Sequence, residues 1–378
     1  MRTTTIVEGA TKLVVPRVSL ERREPPTTPA FFNPAASTNR DISVALTEVA
    51  PGKTFCDSLA GVGSRGIRIA REVTRRMEVS LVDFNAVSLE LAKKSTLLNG
   101  VSRRCKTVRG EANSFLYSRF RRTEKFDFVD IDPFGTPAPY VQAGLNAVSD
   151  GGLLSFTATD TAVLCGVYPR VSLRRYGAAT VNNSFHHETA VRVLLGWCQR
   201  VAGAMDMAVS PVAAHVTKHY VRVYVSAQVG ATKADAAMRS QGYIMECAGC
   251  GHLWSDAEPT DLCAICGKRT KFAGPLWLGK LVDETLVKRA AEVAEGRGLS
   301  AAAKTLGSLL GVDSFPPYSF SLERVCSSLK VASVSPERVA QALESNGFRC
   351  MSQPFEKTGL KSDCTMRDMV AAVRAAIP

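Results

Sequence analysis

The run Lys125-Phe126-Asp127-Phe128-Val129-Asp130-Ile131-Asp132-Pro133-Phe134-Gly135 holds the residues best suited to do chemistry. Its apolar first half reads as a buried strand, and Pro133 must break it because proline cannot donate to a strand ladder. The break presents Asp132 and Phe134 at a strand's carboxyl end, where ligands bind in open parallel sheets. Asp132 can accept an N–H, Phe134 can offer a ring face, and the Pro133 carbonyl can accept a second hydrogen. That trio suits an exocyclic amine on an aromatic base, whose lone pair is delocalised into the ring. Side chains alternate along a strand, so Asp127 reads instead as a cap or surface charge. The competing reading makes Asp132 an ordinary turn-starting residue before proline.

A second constellation is Asp57-Ser58-Leu59-Ala60-Gly61-Val62-Gly63-Ser64-Arg65-Gly66, a G-x-G-x-x-G sequence between a strand and a helix. Gly61 and Gly63 let the backbone turn tightly against a ligand. Asp83, seventeen residues past Gly66, closes the next strand, where a carboxylate can accept both ribose hydroxyls of an adenosine. The residue types before the loop choose between nucleoside cofactors. Asp57 would repel the pyrophosphate of a nicotinamide dinucleotide but attract the ammonium or sulfonium of S-adenosylmethionine. The methyl donor is the better fit, with a nicotinamide oxidoreductase as the alternative.

A third constellation is metal-binding. Cys247-Ala248-Gly249-Cys250-Gly251 and Cys263-Ala264-Ile265-Cys266-Gly267 leave a 12-residue gap between Cys250 and Cys263. Two such knuckles give four thiolates for a tetrahedral Zn2+, a closed and therefore structural site. His186 and His187 stand side by side with no metal spacing around them and read as structural.

The elements that must position these residues alternate along the chain. Thr54 to Cys56, Val79 to Val82, Lys106 to Val108, Phe126 to Ile131, Leu153 to Thr157 and His219 to Val225 read as strands, and Ile67 to Arg75 and Ala86 to Leu98 as helices. Strand–helix–strand repetition predicts an α/β, Rossmann-like sheet, mostly parallel, with helices on both faces. Residues 1 to 30, ending in Pro25-Pro26 and Pro29, read as an edge hairpin or arm. The sheet ends near Val229, and the chain beyond Lys280 is helical and Ala-rich. From Ser319 to Phe355 the order is helix, helix, strand, with starts at Ser321 and Ser335-Pro336-Glu337 and a stop at Asn346-Gly347, which resembles a winged-helix module.

In the 378-residue chain, 47 Lys and Arg face 35 Asp and Glu, a net +12 that suits a polyanionic partner. Basic clusters at Arg103-Arg104, Arg119 with Arg121-Arg122, Arg174-Arg175, and Lys268-Arg269 with Lys271 could together track phosphates. Eleven cysteines, an odd number, with four in paired C-x-x-C motifs, point to a reducing compartment and away from a disulfide framework. No stretch approaches a membrane span, and Met1-Arg2-Thr3-Thr4-Thr5 lacks a signal-peptide core, so a cytoplasmic protein with no membrane association is expected.

These residues resemble the tRNA guanine-26 N2-dimethyltransferases over nearly the whole chain. The resemblance is carried by Phe32-Asn33-Pro34 with Asn39-Arg40-Asp41-Ile42-Ser43, Leu59-Ala60-Gly61 with Arg65-Gly66-Ile67-Arg68, Asp132-Pro133-Phe134-Gly135, and Gly274-Pro275-Leu276-Trp277-Leu278-Gly279. Pro316-Pro317-Tyr318 and Thr358-Gly359-Leu360-Lys361-Ser362-Asp363 extend it. It implies transfer of one or two methyl groups to guanine N2 in tRNA, with Asp132 as catalytic acid residue. It also implies donor contacts from Arg40 and Arg65, ribose contact from Asp83, and an adenine region at Glu111 and Ala112. The loop departs from the family at Ala60 and Val62, and Glu111 stands where Asp is more usual. The expected division is a methyltransferase domain over 1–242, a zinc knuckle over 243–272 and a mainly helical tRNA-binding module over 273–378, with no obligate protein partner. The reading from another class is a zinc-ribbon RNA-binding protein without activity.

Overall fold

A computed structural model describes residues 1–119, 124–217 and 219–377. Arg121 and Arg122 of the expected basic cluster lie outside the described residues. The alternating apolar runs form strands in the order expected. Thr3–Glu8 (β1) and Thr11–Pro16 (β2) make the N-terminal hairpin. Thr54–Asp57 (β3), Glu78–Asp83 (β4), Cys105–Arg109 (β5), Phe126–Ile131 (β6), Val148–Ala158 (β7), Met207–Val216 (β8) and Val221–Val229 (β9) make a seven-stranded sheet ordered β5-β4-β3-β6-β7-β9-β8. The pairs β3–β4, β3–β6, β4–β5 and β6–β7 are parallel, and the helices Ser64–Glu72, Ala86–Leu98 and Val141–Ala147 lie in the crossovers from β3 to β4, β4 to β5 and β6 to β7. Val79, Leu81, Phe128, Val129, Ile131, Leu154 and Phe156 are buried along these strands, as strands covered on both faces require.

The chain gathers into two compact units, each built from separated segments: 1–158, 224–229 and 283–307 in one, and 159–223, 230–282 and 308–378 in the other. In the first, the helix Ser37–Val49 is buried along most of its length and packs against the helix Glu284–Gly296. Arg297 closes that contact on Glu48 at 2.7 Å. The helix expected over 67–75 runs instead from Ser64 to Glu72. Gly63 turns left-handed before it (φ +76) and Val73 is already extended, which moves both ends toward the N-terminus.

In the second unit, Gln241–Cys247 (β10), Leu253–Asp256 (β11) and Thr270–Trp277 (β12) form an antiparallel sheet ordered β11-β10-β12, which carries the cysteine knuckles. The 18-residue helix His186–Gly203 packs on β12. Phe320–Ser321 (β13), Cys350–Ser352 (β14) and Gly359–Ser362 (β15) form a third sheet ordered β13-β15-β14, beside helices Leu322–Leu329, Pro336–Ser345 and Met366–Ala375. Ser321 and Ser335 cap their helices by accepting from Arg324 N and Arg338 N, which is why both starts were legible. Among the described residues no helix is long and apolar enough to cross a membrane.

Candidate active site and cysteine cluster

Parallel strands bring their carboxyl ends to one edge, and three acids sit there. Asp57 ends β3, Asp83 ends β4, and Asp132 follows β6 directly. Register sets Asp57 beside Asp130. The loop after β3 is pinned to its neighbours by main-chain bonds: Ser58 N donates to the Asp130 carbonyl (3.1 Å) and Ala60 N to the Val82 carbonyl (2.9 Å). Gly61 (φ +53) and Gly63 (φ +76) take the left-handed backbone that this turn demands. Gly61 N donates to Asp83 Oδ2 at 2.7 Å, so the acid at the end of β4 also orders the loop. A Cβ on Gly66 would lie 2.4 Å from Leu81 Cδ2, so only glycine lets the helix approach β4.

Arg65 is the hub. Its Nη2 donates to Asp132 Oδ2 at 2.6 Å, its Nε lies 3.1 Å from Asp130 Oδ1, and its Nη1 donates to Asn39 Oδ1 and Ser43 Oγ at 2.7 and 2.6 Å. Asp130 also accepts from Ser155 Oγ at 2.6 Å and is fully buried, whereas the Asp132 side chain keeps 32% of its surface exposed. Burial, and then the charge of Asp130, push the Asp57 carboxyl up to about 7 despite Arg65 and the amide of Gly66. Pro133 is buried, and Phe134 is 65% exposed, meeting Phe31 edge-on at 4.8 Å between ring centroids. An acid, a buried proline and an open aromatic face thus follow one another at the sheet edge. Asp127 has no place in this group: its Oδ2 accepts from Lys53 N and Thr54 N and ties down the start of β3.

Other expected site residues are engaged differently. Arg40 donates from Nε and Nη2 to the two carboxylate oxygens of Glu8, both at 2.6 Å, with its guanidinium 5.0 Å over the ring of the buried Phe32. Glu111 caps the helix Ala112–Tyr117, accepting from Asn113 N and Ser114 N at 2.9 and 2.7 Å, and Ala112 is buried behind it. Sequence reasoning missed Phe84, 74% exposed immediately after Asp83. The available signal was a bulky apolar residue following the acid that closes a strand. It also gave no role to Asn39 and Ser43, whose task of aiming Arg65 needs the fold to be seen.

The four cysteines converge as their spacing requires. Cys247, Cys250, Cys263 and Cys266 offer sulfurs within 4.8 Å of one another, with Cys247–Cys266 at 3.4 Å and Cys250–Cys263 at 3.7 Å. Tetrahedral thiolates at ~2.3 Å from Zn2+ stand about 3.8 Å apart, so the set fits that ion. Gly251 and Gly267 are left-handed (φ +71 and +67), and Gly249 N and Cys250 N point at Cys247 Sγ. Burial opposes ionisation, but those amides and the thiols of Cys266 and Cys250 pull Cys247 down to about 6. Cys250 is pushed up to about 12 by burial and its neighbouring thiols.

Residues 9–374 match the family described as N2,N2-dimethylguanosine tRNA methyltransferase. This chain belongs to that family. Among its relatives are the tRNA (guanine(26)-N(2))-dimethyltransferases of Methanosarcina acetivorans, 33% identical with 98% of each chain covered, and of Methanopyrus kandleri, 34% identical with 97% of this chain and 96% of the other covered. The structure of Trm1 from Pyrococcus horikoshii in complex with S-adenosyl-L-methionine is similar at a TM-score of 0.84 and 28% identity, covering 98% of this chain and 99% of that one. Family membership makes the protein an S-adenosylmethionine-dependent tRNA methyltransferase and removes the nicotinamide and binding-only readings.

Proposed function

We propose that this chain transfers methyl groups from S-adenosylmethionine to the N2 amine of guanine 26 in tRNA, once and then again, with Asp132 as the proton acceptor. The observation that carries this reading is Asp132 itself: one-third exposed at the break after β6, held through Oδ2 by Arg65, with the open ring of Phe134 two residues on. The donor supplies an electrophilic methyl on a sulfonium. Asp132 accepts an amine hydrogen bond and takes the proton as the nitrogen gains its methyl, while Arg65 fixes which oxygen faces the base. Phe134 stacks on the guanine and the Pro133 carbonyl accepts the second amine hydrogen. A guanine stacked in folded RNA must leave its stack to reach this edge, at a cost of a few kcal/mol.

The donor's own contacts follow the loop. Asp83 takes the ribose hydroxyls while still accepting from Gly61 N, since each carboxylate oxygen has two lone pairs. Asp57 opposes the donor's positive charge from beneath the loop; a Cβ on Gly63 would press on Ile67 and Ala92, so that glycine keeps the loop close to its helix. Glu111 and Ala112 border the adenine region, and Arg65 serves the donor through the order it imposes on this edge. Arg40 would reach the donor's carboxylate only by exchanging its partner Glu8. By task, residues 1–242 perform the chemistry, 243–272 hold a structural Zn2+ on Cys247, Cys250, Cys263 and Cys266, and 273–378 grip tRNA, a division that cuts across the two compact units. The site of action is the cytoplasm.

The decisive assay incubates the full chain with isotopically labelled donor and unmodified tRNA, then identifies nucleosides by mass spectrometry. N2-methyl- and N2,N2-dimethylguanosine should appear, and should vanish when guanine 26 is replaced by adenine. Unlabelled tRNA at physiological salt, or label that persists in the replaced transcript, would overturn the proposal.

A further inference from the structure

A second group of metal-ligating side chains lies in the unit that carries the knuckles, away from the four cysteines in sequence. Cys165 follows the short helix Thr161–Leu164, and His186 and His187 open the helix His186–Gly203. Their ligand atoms all lie within 4.8 Å of one another. Glu356, from the turn between β14 and β15, lies on the histidine side of the group, outside the 4.8 Å set: its Oε1 is 2.9 Å from His187 Nδ1 and 3.7 Å from His186 Nε2.

Two features separate this group from an ordinary histidine–carboxylate pair. Successive helix residues point about 100° apart and their side chains do not normally meet. Here the two rings converge, with centroids 4.4 Å apart, on one carboxylate and one buried thiol. The second feature is hydrogen bonding. Among the described residues, the buried atoms His187 Nδ1 and Glu356 Oε1 make no hydrogen bond of acceptable geometry although they are in contact. His186 is differently placed: its Nδ1 is 3.2 Å from the Asn183 carbonyl, and donation there leaves the Nε2 lone pair facing Glu356.

We propose that Cys165, His186 and His187 form a second zinc site, distinct from the four-cysteine cluster, with the Glu356 carboxylate moving in from the histidines as the fourth ligand. Nitrogen and oxygen ligands at ~2.0 Å from a tetrahedral Zn2+ stand about 3.3 Å apart, and the observed separations of 2.9 and 3.7 Å bracket that value. One thiolate, two imidazoles and one carboxylate are a donor set this borderline ion accepts. On binding, the Cys165 thiol loses its proton to solvent and both imidazoles bind as neutral rings, through His186 Nε2 and His187 Nδ1. Four protein ligands leave no open position, so the ion is structural. It joins the end of the Thr161–Leu164 helix, the start of the long helix and the β14–β15 turn, three segments too far apart in sequence for any spacing motif to reveal.

The test is zinc content of the full chain, purified without chelator and saturated with zinc, together with X-ray absorption at the zinc edge. Wild-type protein should hold two zinc ions per chain with a mixed sulfur and nitrogen/oxygen shell. Cys165→Ala and His187→Ala should each lose one zinc while Cys250→Ala loses the other. A single zinc that survives Cys250→Ala and disappears in Cys165→Ala also supports the site, at the expense of the four-cysteine reading. Zinc content unchanged by Cys165→Ala and His187→Ala would overturn it. Should those variants fail to fold, a pure sulfur shell in the wild-type spectrum overturns it equally.

Discussion

Two buried charge clusters, one in each compact unit, differ in how closed they are. The Arg65 guanidinium meets Asp130 and Asp132 in contact and Asp57 at longer range. Around Glu188 a single carboxylate faces two cations: Lys361 Nζ donates to both its oxygens at 2.9 Å and Arg192 Nε to Oε1 at 2.9 Å, with Gln353 adding a further bond. Glu188 and Lys361 have no exposed side-chain surface, and Lys361 also donates to the carbonyls of Pro316 and Tyr318. Burial raises the Glu188 carboxyl, but Lys361 and Arg192 outweigh it and hold the group below its ordinary value. The second cluster is saturated and solvent-free, so it fixes structure. The first leaves Asp132 partly open, which suits a site completed by a ligand.

That contrast can be broken at either end. The largest effect is expected at Asp132→Asn, which removes the proton acceptor but keeps the side chain's shape. Turnover should fall by about 10²–10⁴ with donor affinity nearly unchanged. Calorimetry showing an equal loss of donor binding would reassign Asp132 to scaffolding. Next is Lys361→Met, which leaves Glu188 buried with Arg192 as its one cationic partner among the described residues. The unit that holds it should lose about 3–5 kcal/mol in denaturant unfolding, with little change in donor affinity of the folded protein. A loss below about 1 kcal/mol would mean that the closed cluster is not a structural lock.

The smallest effect sharpens the comparison through pH. Asp57 keeps its proton to about 7 in the folded chain, so between the ordinary carboxylate range and pH 7 the folded state binds more protons than the unfolded. Its contribution to stability therefore falls as pH rises through that window. Donor binding should move the other way, since a cation favours the ionised acid: affinity rises by up to about tenfold per pH unit and levels above 7. In Asp57→Asn the profile should be flat; a slope that persists would assign it to another group.

Much of this was legible because the signals were local. The strand before Asp132 and the proline that ends it lie in one short run, and Asp132, Phe134 and Asp83 stand at strand ends where the pattern put them. The cysteine spacing likewise stated its own geometry. What escaped was non-local. The setting of Arg65, expected as a donor contact, was not legible, because nothing in the sequence tells that Asn39, Ser43, Asp130 and Asp132 surround it. The ion pair of Arg40 with Glu8, from the N-terminal hairpin, could not be read from the sequence either. His186 and His187 looked solitary because Cys165 and Glu356 reach them only through folding.

The scattered make-up of the first unit bears on how the chain is born. The helices over 284–307 belong with the segment 1–158, and Arg297 seals them to Glu48. A nascent polypeptide that has already emitted its cysteine knuckles still lacks the cover for the helix Ser37–Val49. At ~5–20 residues per second, the 258 residues from Val49 to Gly307 take roughly 13–52 s to synthesise. For that interval an apolar flank stays bare, an opening for holdase chaperones and the most hazardous moment for aggregation during synthesis.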